Sequence, residues 1–392
     1  QDVVIENLNL VQSPFWTVVP YESEQVTVRR VNITNHTAPN RDGIDPVNSQ
    51  NITIEECCIF AGDDAICPKS GNQIPLENIE VRNCLLQSDC NGIKIGTDTQ
   101  GPIRKLSFED ITIKKVGLSG ITVQSVDGSD VENIRFSRID MNDVDNALFV
   151  CIGNRYRLPV PSTGYSRKLG SIRDLTFEDI RFTNPMDHPY SQHGGDNLHE
   201  AMVIGLNPEY NTIEDGLEHR ISDVLFKNVY LEMPGGATTQ AAFTSGISNG
   251  YPEHDALKTS AGWAYTLRWT DNIRFVNCQS VAFKPDVRPE IAVADSTGDE
   301  DQAALLDVMR EVLALQGNAT YPDASQEIRQ AVESALATAW EVYEDNNAAA
   351  GDIHQAADAL RTALDGLRAA VPVDKTALQQ EVEGALTDLD GY

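Results

Sequence analysis

The chain has 392 residues, enough for one large core and a small second domain, and carries a formal net charge of −29. That charge argues against nucleic acid or an anionic membrane surface as partner, and no apolar run is long enough for membrane insertion. Its seven cysteines, an odd number with no CxxC pair, form neither a disulfide framework nor a metal site.

From the first residues onward one pattern repeats: apolar, x, apolar, x, polar, apolar, x, apolar. It reads VVIENLNL at 3–10, VTVRRVNI at 26–33, ITIEECCI at 52–59, IEVRNCLL at 79–86 and LSFEDITI at 106–113. It continues as IRFSRIDM at 134–141, LTFEDIRF at 175–182, VLFKNVYL at 224–231 and IRFVNCQS at 273–280. The starts step by 23, 26, 27, 27, 28, 41, 49 and 49 residues, the signature of a repeat architecture. Alternation within each unit is a strand with one buried face. The polar fifth position (Asn7, Arg30, Glu56, Asn83, Asp110, Arg138, Asp179, Asn228, Asn277) reads as a bend between two short strands. One such pair cannot bury its own apolar face, whereas stacked repeats bury a continuous core. The expected fold is an all-β, right-handed parallel β-helix (a solenoid) rising about 4.8 Å per coil.

A second strand series lies between these units, at 14–21, 63–70, 91–98, 119–126, 146–153 and 200–207. The long steps place surplus residues at 154–168, 188–200 and 237–262, and insertions in repeats map to loops, often on the binding face. These segments carry Tyr156 and Tyr251, the first choices for stacking on a sugar ring; Trp16, Tyr165, Tyr190, Tyr210, Trp263 and Tyr265 are further aromatics of this kind. Cys57, Cys84 and Cys278 share one inward position and read as a row of buried thiols. His193 and His199, in HGGDNLH, read as part of a polar loop.

After residue 293 the β pattern stops, and 294–301 reads as a linker. Three Ala-rich amphipathic stretches follow, Gln302–Leu315, Ser325–Asn346 and Ile353–Ala370, with apolar residues at helical spacing, as in Ile353, Ala357, Leu360, Leu364 and Leu367. They predict a small antiparallel α-helical bundle. Residues 297–392 hold 5 basic and 19 acidic side chains, an acidic solvated surface. The expected domains are a β-helix over 1–296, a three-helix module over 297–371 and the start of a second module, PVDKTALQQEVEGAL onward, over 372–392. These segments resemble the FIVAR-type helical modules of secreted Gram-positive carbohydrate enzymes, which implies a spacer or adhesion role and a secreted or cell-surface bacterial location. Because the chain starts inside a strand pattern, the first coils and any signal peptide are expected upstream of residue 1.

Chemistry concentrates in two neighbouring coils. Asn40-Arg41-Asp42-Gly43-Ile44-Asp45 comes first, then Gly62-Asp63-Asp64-Ala65-Ile66, with Asp63 following Asp42 by 21 residues, close to one coil. One coil later in a solenoid means directly above, so these carboxylates are expected to converge. Taken singly, Asp-Gly and Gly-Asp are turn formers; paired one coil apart, with Lys69-Ser70-Gly71 beyond, they suit chemistry. Close like charges raise one another's pKa, so one carboxyl can remain an acid while others act as bases, the division of labour glycosidic hydrolysis requires.

NRDGIDPVNSQNITIEECCIFAGDDAICPKSG at 40–71 resembles the core of glycoside hydrolase family 28, the polygalacturonase-like enzymes. SPFWTVVP at 13–20, GYPEHDAL at 250–257 and DVRPEIAVAD at 286–295 are similar to flanking family segments, so the likeness covers roughly residues 1–296. It implies a parallel β-helix, no metal or cofactor, and inverting hydrolysis of pectic chains. By position it makes Asp63 the general acid, Asp42 and Asp64 the groups that hold and deprotonate water, Asp45 a supporting carboxylate, and Lys69 a charge balance. Two departures stand out. Asn91 occupies the place of the histidine in the family's Gly-His-Gly, and Ile121-Thr122-Val123-Gln124 replaces the Arg-Ile-Lys that grips a galacturonate carboxylate. Thr122 and Gln124 suit neutral hydroxyls; Lys94, or Arg155 and Arg157 in GNRYRLP, are candidate replacement cations. The resemblance therefore implies a relative of polygalacturonase cutting another linkage or sugar. The expectation is a monomeric glycoside hydrolase acting on a polysaccharide or oligosaccharide. The alternatives are a non-catalytic glycan-binding or adhesion protein, which would tolerate loss of the acids, and a polysaccharide lyase, which would need an Arg or Lys base and often calcium.

Overall fold

The structure, a computed structural model, describes residues 2–35, 40–159, 166–186, 198–213, 215–297, 299–317, 321–345, 348 and 350–370. It comprises two compact units, Gln1–Glu300 and Asp301–Tyr392.

The first unit is a parallel β-helix in which the sequence repeat is the structural repeat. Val3 pairs with Val26, Val26 with Ile52, Ile52 with Ile79 and Ile79 with Leu106; Ile134, Leu175, Val224 and Ile273 continue the same ladder, all parallel. These are the nine first positions of the repeat. A second ladder runs Val18, Ile44, Ile66, Ile93, Ile121, Leu148, Ala201, Tyr265 and Ile291.

The polar fifth position has a sharper role than a bend. All nine residues, Asn7 through Asn277, have φ between 50° and 56°, in the left-handed region. A second left-handed series, not foreseen, precedes the apolar start of the unit: Gln25, Asn51, Asn78, Lys105, Asn133, Asp174, Asp223 and Asn272. Each coil is thus turned twice by single residues, and Asn and Asp accept that conformation most readily. Their side chains then bond from coil to coil. The Asn277 amide donates to Asn228 Oδ1 at 2.8 Å, Asn228 to Asp179 Oδ1 at 2.8 Å, and Asn78 to Asn51 Oδ1 at 3.0 Å.

Inside, the third position of five successive units stacks Phe108, Phe136, Phe177, Phe226 and Phe275 with ring centroids 4.9–5.2 Å apart and planes within 14° of parallel. All seven cysteines are free thiols; Cys57 and Cys84 are buried in the inward row and Cys278 is half-buried.

Among the described residues three helices follow the β-helix, Asp299–Gln316, Gln326–Glu344 and Ala350–Ala370. Ser325 caps the second, its hydroxyl accepting from the Ile328 N–H at 3.3 Å. Ile353, Ala357, Leu360, Leu364 and Leu367 are all buried, as their spacing requires. No described helix is long and apolar enough to cross a membrane. The segment 372–392 lies outside the described residues.

Candidate active site

The second ladder builds the site, because the residues just before and after its apolar rungs stack in columns. Ile44 pairs with Ile66 and Ile66 with Ile93. Asp42 therefore lies under Asp64, and Asp64 under Asn91. The coil between the two acidic motifs is 22 residues long, one more than the 21 separating Asp42 from Asp63, so Asp63 sits to one side of the column. Gly43 makes this stacking possible: a Cβ there would run into the Ala65 carbonyl and lie 2.5 Å from Ile59 Cγ2.

Asp42 and Asp64 bring carboxylate oxygens within 4.8 Å of each other and of Cys67 Sγ, a group that could ligate a metal. Two lysines bring positive charge to the same carboxylates, and burial pushes the Cys67 thiol well up, towards its protonated form. Lys69 Nζ donates to Asp42 Oδ2 at 2.9 Å and to Asp45 Oδ1 at 2.5 Å, all three side chains buried, and lies 4.6 Å from the centre of the Trp16 ring. Lys94 Nζ contacts Asp64 Oδ2 at 3.1 Å and donates to Glu253 Oε1 at 2.6 Å. Burial opposes the charge on each lysine, but the paired carboxylates outweigh it and hold both pKa values well above the ordinary.

The two neighbouring acids diverge. Burial, reinforced by the charges of Asp64 and Asp42, raises Asp63 to about 6. Asp63 is half-buried; its Oδ2 accepts from the Asn40 N–H at 2.7 Å and its Oδ1 from the Asp64 N–H at 3.0 Å. Burial would raise Asp64 too, but Lys94, Lys69 and the Asn91 amide, donating at 2.8 Å, outweigh it and lower its pKa. Asp42 is raised by its burial, with Lys69 opposing.

Asn91 is a hub. Its amide also donates to Glu253 Oε2 at 3.3 Å, and its Oδ1 accepts from the Ser119 N–H and the Thr122 hydroxyl, both at 3.1 Å. Thr122 is buried, and the Gln124 amide donates to the Pro252 carbonyl at 2.5 Å. Both side chains are thus engaged inside the protein. So is Arg155, whose guanidinium meets Asp98 at 2.8 Å and Asp127 at 2.5 Å. Arg157 is exposed, and its N–H donates to Asp127 Oδ1 at 3.1 Å. Tyr156 is half-buried with Arg167 5.4 Å from its ring centre. Tyr251, 39% exposed, lies with its ring centre 5.4 Å from Lys94 Nζ and its hydroxyl 3.3 Å from Thr97 Oγ1. His193 lies outside the described residues, and the His199 ring contacts the Asp145 carbonyl at 2.5 Å.

Sequence reasoning missed Glu253 and the clip that delivers it. The 3₁₀ turn His254–Leu257 follows Glu253. His254 Nδ1 lies 3.2 Å from Ser119 Oγ and Nε2 3.1 Å from Asp145 Oδ2. Serine, histidine and aspartate in line have the make-up of a nucleophile chain. All three are buried here, and the Ser119 hydroxyl donates to Asn146 Oδ1 at 2.9 Å, so the arrangement fastens the 250–257 segment to the coils. The available signal was the run of ionisable residues Glu253-His254-Asp255 inside GYPEHDAL, a segment otherwise apolar or neutral.

A parallel solenoid with a half-buried acid of raised pKa beside paired, lysine-held carboxylates defines the class: a β-helix carrying a stacked cluster of carboxylates. The model for Glycosyl hydrolases family 28 matches residues 1–197, half of the chain, and the chain belongs to that family. A probable polygalacturonase of Vitis vinifera is 33% identical over 28% of this chain and 24% of its own length. An endo-polygalacturonase of Pectobacterium parmentieri is 28% identical over 46% of this chain and 43% of its own. Among solved structures, a family 28 exopolygalacturonase of Yersinia enterocolitica is similar at a TM-score of 0.47 and 16% identity, over 74% of this chain and 46% of that one. The chain spans under half the length of each of these relatives.

Proposed function

We propose that the β-helix hydrolyses glycosidic bonds in a pectic or related polysaccharide with inversion at the anomeric carbon. Asp63 protonates the leaving oxygen, while Asp42 and Asp64, one above the other, hold a water and accept its proton. Lys69 and Asp45 fix Asp42, and Asn91 and Lys94 fix Asp64. The observation that carries the reading is the divergence of adjacent acids: Asp63 held towards its protonated form, Asp64 towards its ionised form. The polygalacturonase names among the relatives support the pectic substrate class. A lyase reading is less favoured, because it needs an uncharged base and both site lysines are held charged by pairs of carboxylates. The proposal extends to a secreted or cell-surface bacterial enzyme working as a monomer, with the helical unit as a FIVAR-like spacer.

Asp42→Asn, Asp63→Asn and Asp64→Asn should each lower turnover about 10²–10⁴-fold with folding retained, the usual contribution of a positioned acid or base. Full activity in any one removes that residue from the mechanism, and a wild type no more active than the three variants restores the binding-protein alternative.

A further inference from the structure

We propose that the sugar whose bond is broken, the one seated against Asp63, is uncharged. The inference rests on the hydrolase reading above and narrows the substrate class of that same site.

Both lysines that the fold brings next to the acids are shared between carboxylates of the protein itself. Lys69 is shared by Asp42 and Asp45, and Lys94 by Asp64 and Glu253, both ammonium groups being buried. Arg41 donates to Gln12 Oε1 at 2.8 Å, and Arg155 is held by Asp98 and Asp127. Further along the ladder stand Thr122 and Gln124, uncharged and buried. Arg157 is exposed, and its N–H is held by Asp127 in the Ile121 coil, two coils beyond Ile66 or roughly 10 Å along the axis at the spacing of adjacent strands. The segments outside the described residues between 36 and 197 (36–39, 160–165 and 187–197) contain neither lysine nor arginine; His36, His188 and His193 are their only basic side chains.

A uronate carboxylate at the scissile position would therefore be brought beside five carboxyl groups (Asp42, Asp45, Asp63, Asp64 and Glu253), with the two ammonium groups already shared among four of them. Like charges at such range repel, and both site lysines are already engaged by carboxylates. An uncharged sugar meets no such penalty. Its apolar face can lie on an aromatic ring, and Tyr251 and Trp16 flank the two lysines.

The test uses three polymers: polygalacturonan; the same polymer with each carboxylate reduced to a hydroxymethyl group, which removes charge and keeps the linkage; and rhamnogalacturonan, where charged and uncharged sugars alternate. Hydrolysis leaves the sugar from the scissile position as the new reducing end, which borohydride labelling and chromatography identify. The expected result is uncharged new ends, from the reduced polymer or from rhamnogalacturonan, at a rate at least about tenfold above that on polygalacturonan. Galacturonate ends, with polygalacturonan cut fastest, would overturn this inference and leave the hydrolase reading standing. Silence on all three, equal to that of Asp63→Asn, would overturn the hydrolase reading and this inference with it. Glu253→Gln, which relieves Lys94 of one carboxylate, should raise the rate on polygalacturonan relative to the best uncharged substrate several-fold. An unchanged ratio would overturn the role of that ion pair in rejecting charge.

Discussion

The pH profile of turnover is the most direct consequence of the Asp63 environment. An acid catalyst works only while protonated, so the fraction of protonated Asp63 sets the upper limb of kcat/KM. Burial and the neighbouring Asp64 and Asp42 bring its pKa to about 6. The protonated fraction is then about 90% at pH 5, about half at pH 6 and about 1% at pH 8. An Asp with the ordinary value near 3.9 would already be about 90% ionised at pH 5, so the two cases separate by roughly a factor of ten there. The lower limb belongs to the base, and of the two groups that hold the water, Asp42 is raised by burial and Asp64 is the one that stays ionised in acid. Asp64 is shifted downward, so its ionised form persists below the usual carboxylate range. The expected profile is a plateau through pH 5, half-maximal kcat/KM near pH 6 and a tenfold fall per pH unit above it. The assay is initial rate from pH 4 to 9 on the best uncharged substrate, so that substrate ionisation does not enter, with folding checked at each pH by circular dichroism. Asp63→Asn should remove the plateau and leave a low residual rate without the pH 6 transition. A wild-type profile flat to pH 8, or falling already below pH 5, would refute the assignment of Asp63 as the acid with a raised pKa.

Four further outcomes follow. Lys69→Met strands two buried carboxylates and should cost about 3–5 kcal/mol of stability in denaturant unfolding; the deficit should shrink on lowering the pH, as Asp42 and Asp45 take up protons, and adding Asp45→Asn should recover part of it. Burial opposes the charge on His254 but its bond to Asp145 outweighs burial and raises the pKa, so the charged clip stabilises the fold below the ordinary histidine value and the benefit is lost as pH rises through the raised value; the gap in melting temperature between wild type and His254→Gln should narrow accordingly from pH 6 to 9. Phe177→Ala, at the middle of the stack, should cost about 3–5 kcal/mol by the same unfolding measurement. Removing residues 301–392, a compact unit of its own, should leave turnover on a soluble substrate within about twofold of the full chain, since the acid–base groups all lie in the first unit.

Fold and site differ in how far they can be read from sequence, and particular residues show why. The start of each repeat, Val3 through Ile273, is the register of the first ladder, because period-2 burial allows only one pairing that keeps every apolar side chain inside. The left-handed residues at the fifth position were visible as a polar break, since a polar residue inside an apolar alternation has no other reason to be there. The companion series, Asn51, Asn78 and their equivalents, was not visible. It stands before the apolar run, where a polar residue looks like ordinary loop. The vertical order of the acids depended on the length of one turn: a 22-residue coil in place of a 21-residue offset moves Asp64, and not Asp63, over Asp42. Nothing local announces that length. Glu253 reaches the site from 159 and 162 residues away, and His254 meets partners 135 and 109 residues away, through contacts that no periodicity encodes.

The divergence of Asp63 and Asp64 follows from the solenoid itself. Asp63 and Asp64 lie in the segment that follows the strand Cys58–Ala61, and their side chains have different surroundings there. Asp64 falls in the stacked column, where the coil above supplies Asn91 and Lys94, each within 3.1 Å of its carboxylate oxygens. Asp63 falls outside the column; it meets two backbone N–H groups, while the cations it can sense are already committed to other carboxylates. Two identical residues joined by one peptide bond thus acquire opposite proton affinities, because stacking gives one a partner in the next coil and leaves the other at the edge. A solenoid can place carboxyl groups of different proton affinity side by side without bringing distant parts of the chain together; the distant segment adds Glu253, which shares Lys94 with Asp64 and accepts from Asn91.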